Sequence, residues 1–131
     1  MGQTYAVSLK VGFLNKELAA TALRSKLERA EKEHVNYDLD HYRDELGIGT
    51  DKIEDLLKIF FGGWYGNLRP EGDDERCIGS FFDASYGWES VMMDAFDLIA
   101  PYLEDGSEIE IYPDHGVDLG YVENGDVTWN C

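Results

Sequence analysis

The sequence predicts an α+β fold, a mainly antiparallel sheet of about four to five strands with helices packed on one face, from two observations. Apolar residues alternate with period two near both ends of the chain and recur at helical spacing between them. Near residue 124 an Asn-Gly pair joins two short alternating runs as a hairpin, because both central positions of a type I′ turn require positive φ. At 131 residues and 44% hydrophobic composition, the chain reads as one domain, 1–131, with enough apolar surface to bury a core.

The elements follow in order. Residues 4–12 place Tyr5, Val7, Leu9 and Val11 on one face and Ala6, Ser8 and Lys10 on the other, the pattern of a half-buried strand. Asn15 then caps a helix to about residue 34, with Leu18, Ala22, Leu27 and Ala30 on its apolar side. Residues 38–46 read as a short helix or turn stopped by Gly47 and Gly49. Asp51 and Glu54 have capping-box spacing before a third helix, whose apolar face is Ile53, Leu56, Leu57 and Phe60. The glycines at 62, 63 and 66 end it.

Residues 69–76 are polar and turn-rich and read as a loop, and 77–82 as a strand. A helix over 88–103 directs Val91, Ala95, Leu98, Ile99 and Tyr102 to the core, and Met93, Asp94, Asp97 and Glu104 the other way. Pro101 kinks or restarts its last turn. After Gly106, residues 108–112 alternate so that Glu108 and Glu110 share a face, about 6.6 Å apart along the strand. The hairpin of 117–122 with 127–130 sets Glu123 opposite Asp126, a like-charge pair that costs stability.

Charge is distributed unevenly along the chain. No lysine or arginine follows Arg76, and residues 77–131 carry twelve carboxylates within a total net charge of −16. A field of one sign repels nucleic acid and anionic membrane and favours a basic partner. Within that half, Asp94, Asp97, Glu104, Asp105, Glu108, Glu110, Asp114, Asp118, Glu123 and Asp126 are the candidate partner-binding residues, and with no base among them nothing neutralises their field internally. A halophilic adaptation of the whole surface fits poorly, because lysine and arginine are frequent in residues 1–76.

Catalytic and metal chemistry lack their usual spacings. His34 and His41 bracket Asp38 and Asp40, and His115 follows Asp114, but none forms HExxH or a cysteine-rich zinc pattern. His41 and Asp44 could share a helical face as a weak divalent site. Asp38 opens like a calcium loop, yet Arg43 stands where the EF-hand turn needs glycine and Gly49 where it needs glutamate. The 47–50 run lacks a phosphate-loop pattern and no GxSxG element occurs, so the expectation is no enzyme, no metal and no cofactor. Trp64, Tyr65, Tyr86 and Trp88 read either as core packing at helix ends or as interface anchors within an acidic rim.

Cys77 and Cys131, in no CxxC spacing, fit reduced thiols. No apolar run of about 18 residues and no signal pattern is seen, and Ala6 stands where myristoylation wants Ser or Thr. The expectation is a cytoplasmic protein without a membrane partner. In size, charge and charge segregation, residues 77–131 resemble the small acidic DNA-mimic inhibitors of phages and mobile elements, the anti-CRISPR and antirestriction class. That resemblance implies an inhibitor occluding the nucleic-acid-binding surface of a nuclease or CRISPR effector, without binding nucleic acid itself. The charge alone leaves other classes open: an immunity or regulatory protein against a basic toxin, a soluble accessory domain, or a weak metal-binding enzyme.

Overall fold

Strand alternation near the start of the chain organises the sheet around it. In the computed structural model, which describes residues 2–32 and 39–130, β1 (Gly2–Lys10) lies inside a six-stranded sheet. The other strands are β2 (Arg69–Pro70), β3 (Cys77–Ser85), β4 (Glu108–Tyr112), β5 (Asp118–Glu123) and β6 (Asp126–Trp129), in the order β2-β3-β1-β4-β5-β6. Every neighbouring pair is antiparallel. The α+β class is as expected, but the sheet has six strands rather than four to five. The extra one is β2, inside the segment read as a loop. Its two residues carry no alternation of their own, and it exists because Arg69 and Pro70 align with Gly79 and Ile78 of the longer β3.

Helices α1 (Lys16–Lys32), α2 (Ile53–Phe61) and α3 (Trp88–Ile99) cover one face of the sheet. Tyr5, Val7, Leu9, Ile109, Ile111 and Val122 point into that layer and are buried. The side chain of Asn15 caps α1, its Oδ1 accepting the Leu18 N–H at 3.0 Å. The buried face of α1 is Ala19, Ala20, Leu23 and Leu27, while Leu18 is exposed. Residue 18 is thus a turn's edge away from the expected stripe, because the sheet selects the face centred on Leu23. The helix end beyond Lys32 lies outside the described residues, as do His34 and Asp38.

The expected capping box at α2 does not form: the N-cap is Lys52, with no side-chain cap. Arg24 of α1 supplies the restraint instead, donating from Nε to the Thr50 carbonyl at 2.8 Å and from its terminal nitrogen to that of Asp51 at 2.9 Å. At the other end Gly63 adopts φ 73°, and a Cβ there would sit 2.5 Å from the Phe82 side chain, so only glycine allows α2 to end against β3. In α3 the buried residues are Met92, Ala95, Phe96 and Ile99, with Val91 and Leu98 only half-buried. Pro101 sits in a separate 3-10 turn, Ala100–Tyr102, as the restart reading expects. Asn124 (φ 52°) and Gly125 (φ 78°) form the hairpin turn. Among the described residues no helix is long and apolar enough to cross a membrane.

Candidate interaction face

The helices leave the second face of the sheet uncovered, and strand register fixes which residues stand on it. Paired residues in an antiparallel ladder share a face. Glu108 pairs with Lys10 of β1 and Tyr121 of β5; Glu110 pairs with Ser8 and Leu119. Beyond them Tyr112 pairs with Ala6, which pairs in turn with Phe81. Asp83 aligns with Thr4, whose hydroxyl donates to its carboxylate at 2.8 Å. At the far side Glu123 and Asp126 meet across the hairpin, as the sequence predicts. The open face therefore mixes Asp83, Glu108, Glu110, Glu123 and Asp126, together with the Glu71 carboxylate lying over Gly79, with exposed Phe81, Tyr112, Leu119 and Tyr121.

Of the ten acids expected to form one surface, only Glu108, Glu110, Glu123 and Asp126 stand on this face. Asp94 and Asp97 project from α3 on the opposite side of the molecule, and Asp97 accepts the Trp129 indole N–H at 3.1 Å. Asp105 accepts the Asn124 N–H at 2.9 Å and steadies the hairpin turn. Glu104 ties the chain to the end of β1 through its N–H, bonded to the Gly12 carbonyl at 2.8 Å, while its carbonyl accepts the Ser107 N–H at 3.1 Å and closes a turn. Asp114 is anchored by its N–H to the Gln3 amide oxygen at 3.3 Å. Asp118 pairs with Ile111 and so falls on the helix side, where burial, reinforced by Glu89, raises its pKa. Period-two alternation and the one-sided helix layer separate what linear sequence puts together.

Bases of the first half come near these acids in space, although among the described residues none forms an ion pair with them. β1 comes from the charge-balanced half of the chain, yet it lies between β3 and β4 and sets Lys10 directly across from Glu108. Arg69 stands on the same face through its pairing with Gly79. Arg76 lies close enough to Glu104 for that carboxylate to help raise its pKa, behind the larger effect of Asp74. Asp74 itself is lowered to about 2 by its hydrogen bonds from Arg76. Glu110 does the reverse to its neighbour Tyr112, whose pKa it raises through charge repulsion.

Elsewhere the polar groups serve the fold. His41 is buried in a π-helical turn, His41–Glu45, with Nδ1 2.8 Å from the Glu45 carboxylate and Nε2 2.7 Å from the Trp64 carbonyl. It stacks on Trp64 with ring centroids 3.6 Å apart. Asp44, its expected partner in a divalent site, binds Arg43 instead, and no group of potential metal ligands gathers among the described residues. Of the four aromatics read as core or anchors, Trp64, Tyr65 and Tyr86 are exposed, whereas Trp88 is half-buried and donates from its indole to the Phe60 carbonyl.

The open face was only partly visible in the sequence. Phe81 and Asp83 carried no periodic signal, because Gly79-Ser80-Phe81-Phe82-Asp83 sets two phenylalanines side by side and so puts one apolar ring on each face of β3. No protein family, curated protein or solved structure matches this chain.

Proposed function

We propose that this chain is an acidic, non-enzymatic inhibitor protein that occludes the nucleic-acid-binding surface of a basic partner, a nuclease or a CRISPR effector, in the cytoplasm. The observation that carries the reading is the uncovered sheet face with Asp83, Glu108, Glu110, Glu123 and Asp126 on a rigid ladder. Carboxylates carried on a hydrogen-bonded ladder need no backbone ordering on binding, and together they steer a basic surface toward the face. The same field keeps nucleic acid away.

Replacing Glu108 and Glu110 with Lys tests this reading. Association with a basic partner recovered by pull-down should slow roughly tenfold at low salt, and the difference should shrink as the Debye length falls to about 3 Å at 1 M. An unchanged association rate would sink it. A second reading, a basic partner bound without imitation of nucleic acid, is favoured by Phe81, Tyr112, Leu119 and Tyr121, since apolar side chains have no counterpart in a phosphate backbone. Competition separates the two: mimicry requires potency to fall as nucleic acid is raised, and a ternary complex with undiminished affinities selects the second reading.

A further inference from the structure

One edge of the sheet is left open along part of its length. β3 pairs with β1 over all nine residues but with β2 at only Ile78 and Gly79. Hydrogen-bond parity gives the direction of every backbone group on this strand. The Glu71 N–H donates to the Cys77 carbonyl at 2.8 Å, so the odd-numbered residues of β3 direct N–H and C=O toward the β2 side. Val11 N–H, on the odd set of β1, donates to Arg76 O at 3.0 Å, so the even-numbered residues of β3 face β1. Pro70 fits the same scheme, standing opposite even-numbered Ile78 where β2 needs no donor.

Phe81 and Asp83 therefore aim their backbone groups outward, past the end of β2. The segment before Arg69 does not continue the ladder: it curls into a turn, with Asn67 N–H bonded to the Gly62 carbonyl at 2.9 Å and Leu68 N–H to that of Gly66 at 3.0 Å. Among the described residues nothing hydrogen-bonds to Phe81 or Asp83 from that side. A cleft of about 360 Å³ lies there, between the turn that carries Trp64, Tyr65 and Asn67 and the edge at Phe81 and Asp83. Its aromatic walls are unusually open, with Phe81 72%, Tyr65 68% and Trp64 49% exposed. Unpaired strand edges flanked by exposed rings are sites of chain pairing.

We infer that this cleft receives an extended segment of the basic partner, which adds to β3 as a further strand with arginine or lysine alternating with apolar residues. The inference rests on the proposal that the partner is basic. Residues of an added strand that bond to Phe81 and Asp83 share their face, so a cation there meets the Asp83 carboxylate and the Phe81 ring. The intervening side chains point to the helix side, where Gly63 touches Phe82 and the turn bears Trp64 and Tyr65, which suits apolar groups.

The test uses an eight-residue peptide of alternating Arg and Val, titrated into the full-length chain labelled with nitrogen-15. The amide signals of Phe81 and Asp83 should shift and their hydrogen exchange should slow, with a change in Trp64 fluorescence. Methylating the peptide nitrogens of the arginines, which face β3, should weaken binding about tenfold or more, whereas methylating those of the valines should have little effect. Equal effects of the two methylations would overturn strand addition. So would shifts confined to Glu108, Glu110 and Tyr121, though these would leave the acidic-face proposal standing. Absence of binding at millimolar peptide also overturns the inference, while the proposed function is judged separately by competition. Protection of Phe81 and Asp83 that rises with protein concentration in the absence of peptide would make a second copy the occupant and overturn it too.

Discussion

Two tyrosine–glutamate pairs, one on each face of the sheet, show how the same residue types take different roles. On the covered face Tyr5 is fully buried, and its hydroxyl donates to the Glu89 carboxylate at 2.5 Å while accepting from the Gln3 amide at 2.7 Å and the Trp88 N–H at 3.2 Å. The Trp88 N–H belongs to the first turn of α3, whose N-cap Gly87 offers no side chain, so Tyr5 satisfies a donor the helix leaves open. On the open face Tyr112 is exposed and Glu110 half-buried. Both tyrosines have raised pKa values, but for Tyr5 burial is the larger cause and for Tyr112 it is the Glu110 charge. The Glu89 carboxylate, on the first turn of α3, is committed to the fold, whereas Glu110 on the open face is bonded to no helix among the described residues.

The sharpest way to break that comparison is to remove one phenylalanine from each face. Phe96→Ala, in the core beneath Trp129, should cost about 3–5 kcal/mol. Phe81→Ala should fall within about 0.5 kcal/mol of the parent. Urea denaturation measures both, and a large loss for Phe81→Ala would mean that the open face is structural after all.

A smaller contrast is expected for the hydroxyls. Tyr5→Phe removes the hydroxyl's hydrogen bonds with the Glu89 carboxylate and the Trp88 N–H, at a cost of about 1–3 kcal/mol. Tyr112→Phe should leave the melting temperature unchanged within error. Equal effects would contradict the division of roles.

The smallest effect sharpens the boundary between the faces. Asp118 is the candidate acid that alternation turns to the helix side, and its folded pKa is raised above the ordinary 3.8. At neutral pH its ionised form therefore opposes folding, and the penalty is relieved as pH falls through the raised folded value toward the unfolded one. Asp118→Asn should raise the melting temperature at pH 7 by about 1–3 °C, with the gain disappearing as the pH approaches 4. A gain that persists undiminished at acid pH would assign the effect to something other than this charge.

Local chemistry alone made much of the fold legible. Tyr5, Val7 and Leu9 alternate with small or polar residues over one strand, Asn15 has a side chain that reaches a helix N–H, and Asn124-Gly125 accepts positive φ at both positions. Each depends on neighbours a few residues away, which is why β1, α1 and the terminal hairpin could be read directly. The face shared by Glu108 and Glu110 was equally legible, since a single strand's alternation decides it.

The candidate site was less legible, because charge segregation along a chain is not segregation in space. β1 inserts between β3 and β4, so Lys10 meets Glu108 across nearly a hundred residues of sequence. Which side Asp118 takes depends on its register against Ile111, and which side Asp94 takes depends on where α3 packs. β2 and the free edge at Phe81 and Asp83 follow from the unequal lengths of paired strands. The sequence by itself determined the elements, the total charge and the face of each isolated strand, because these are set by local periodicity. Only the tertiary structure decided which charges are neighbours and which edge is open, because pairing partners far apart in the chain are chosen by burial of a common core.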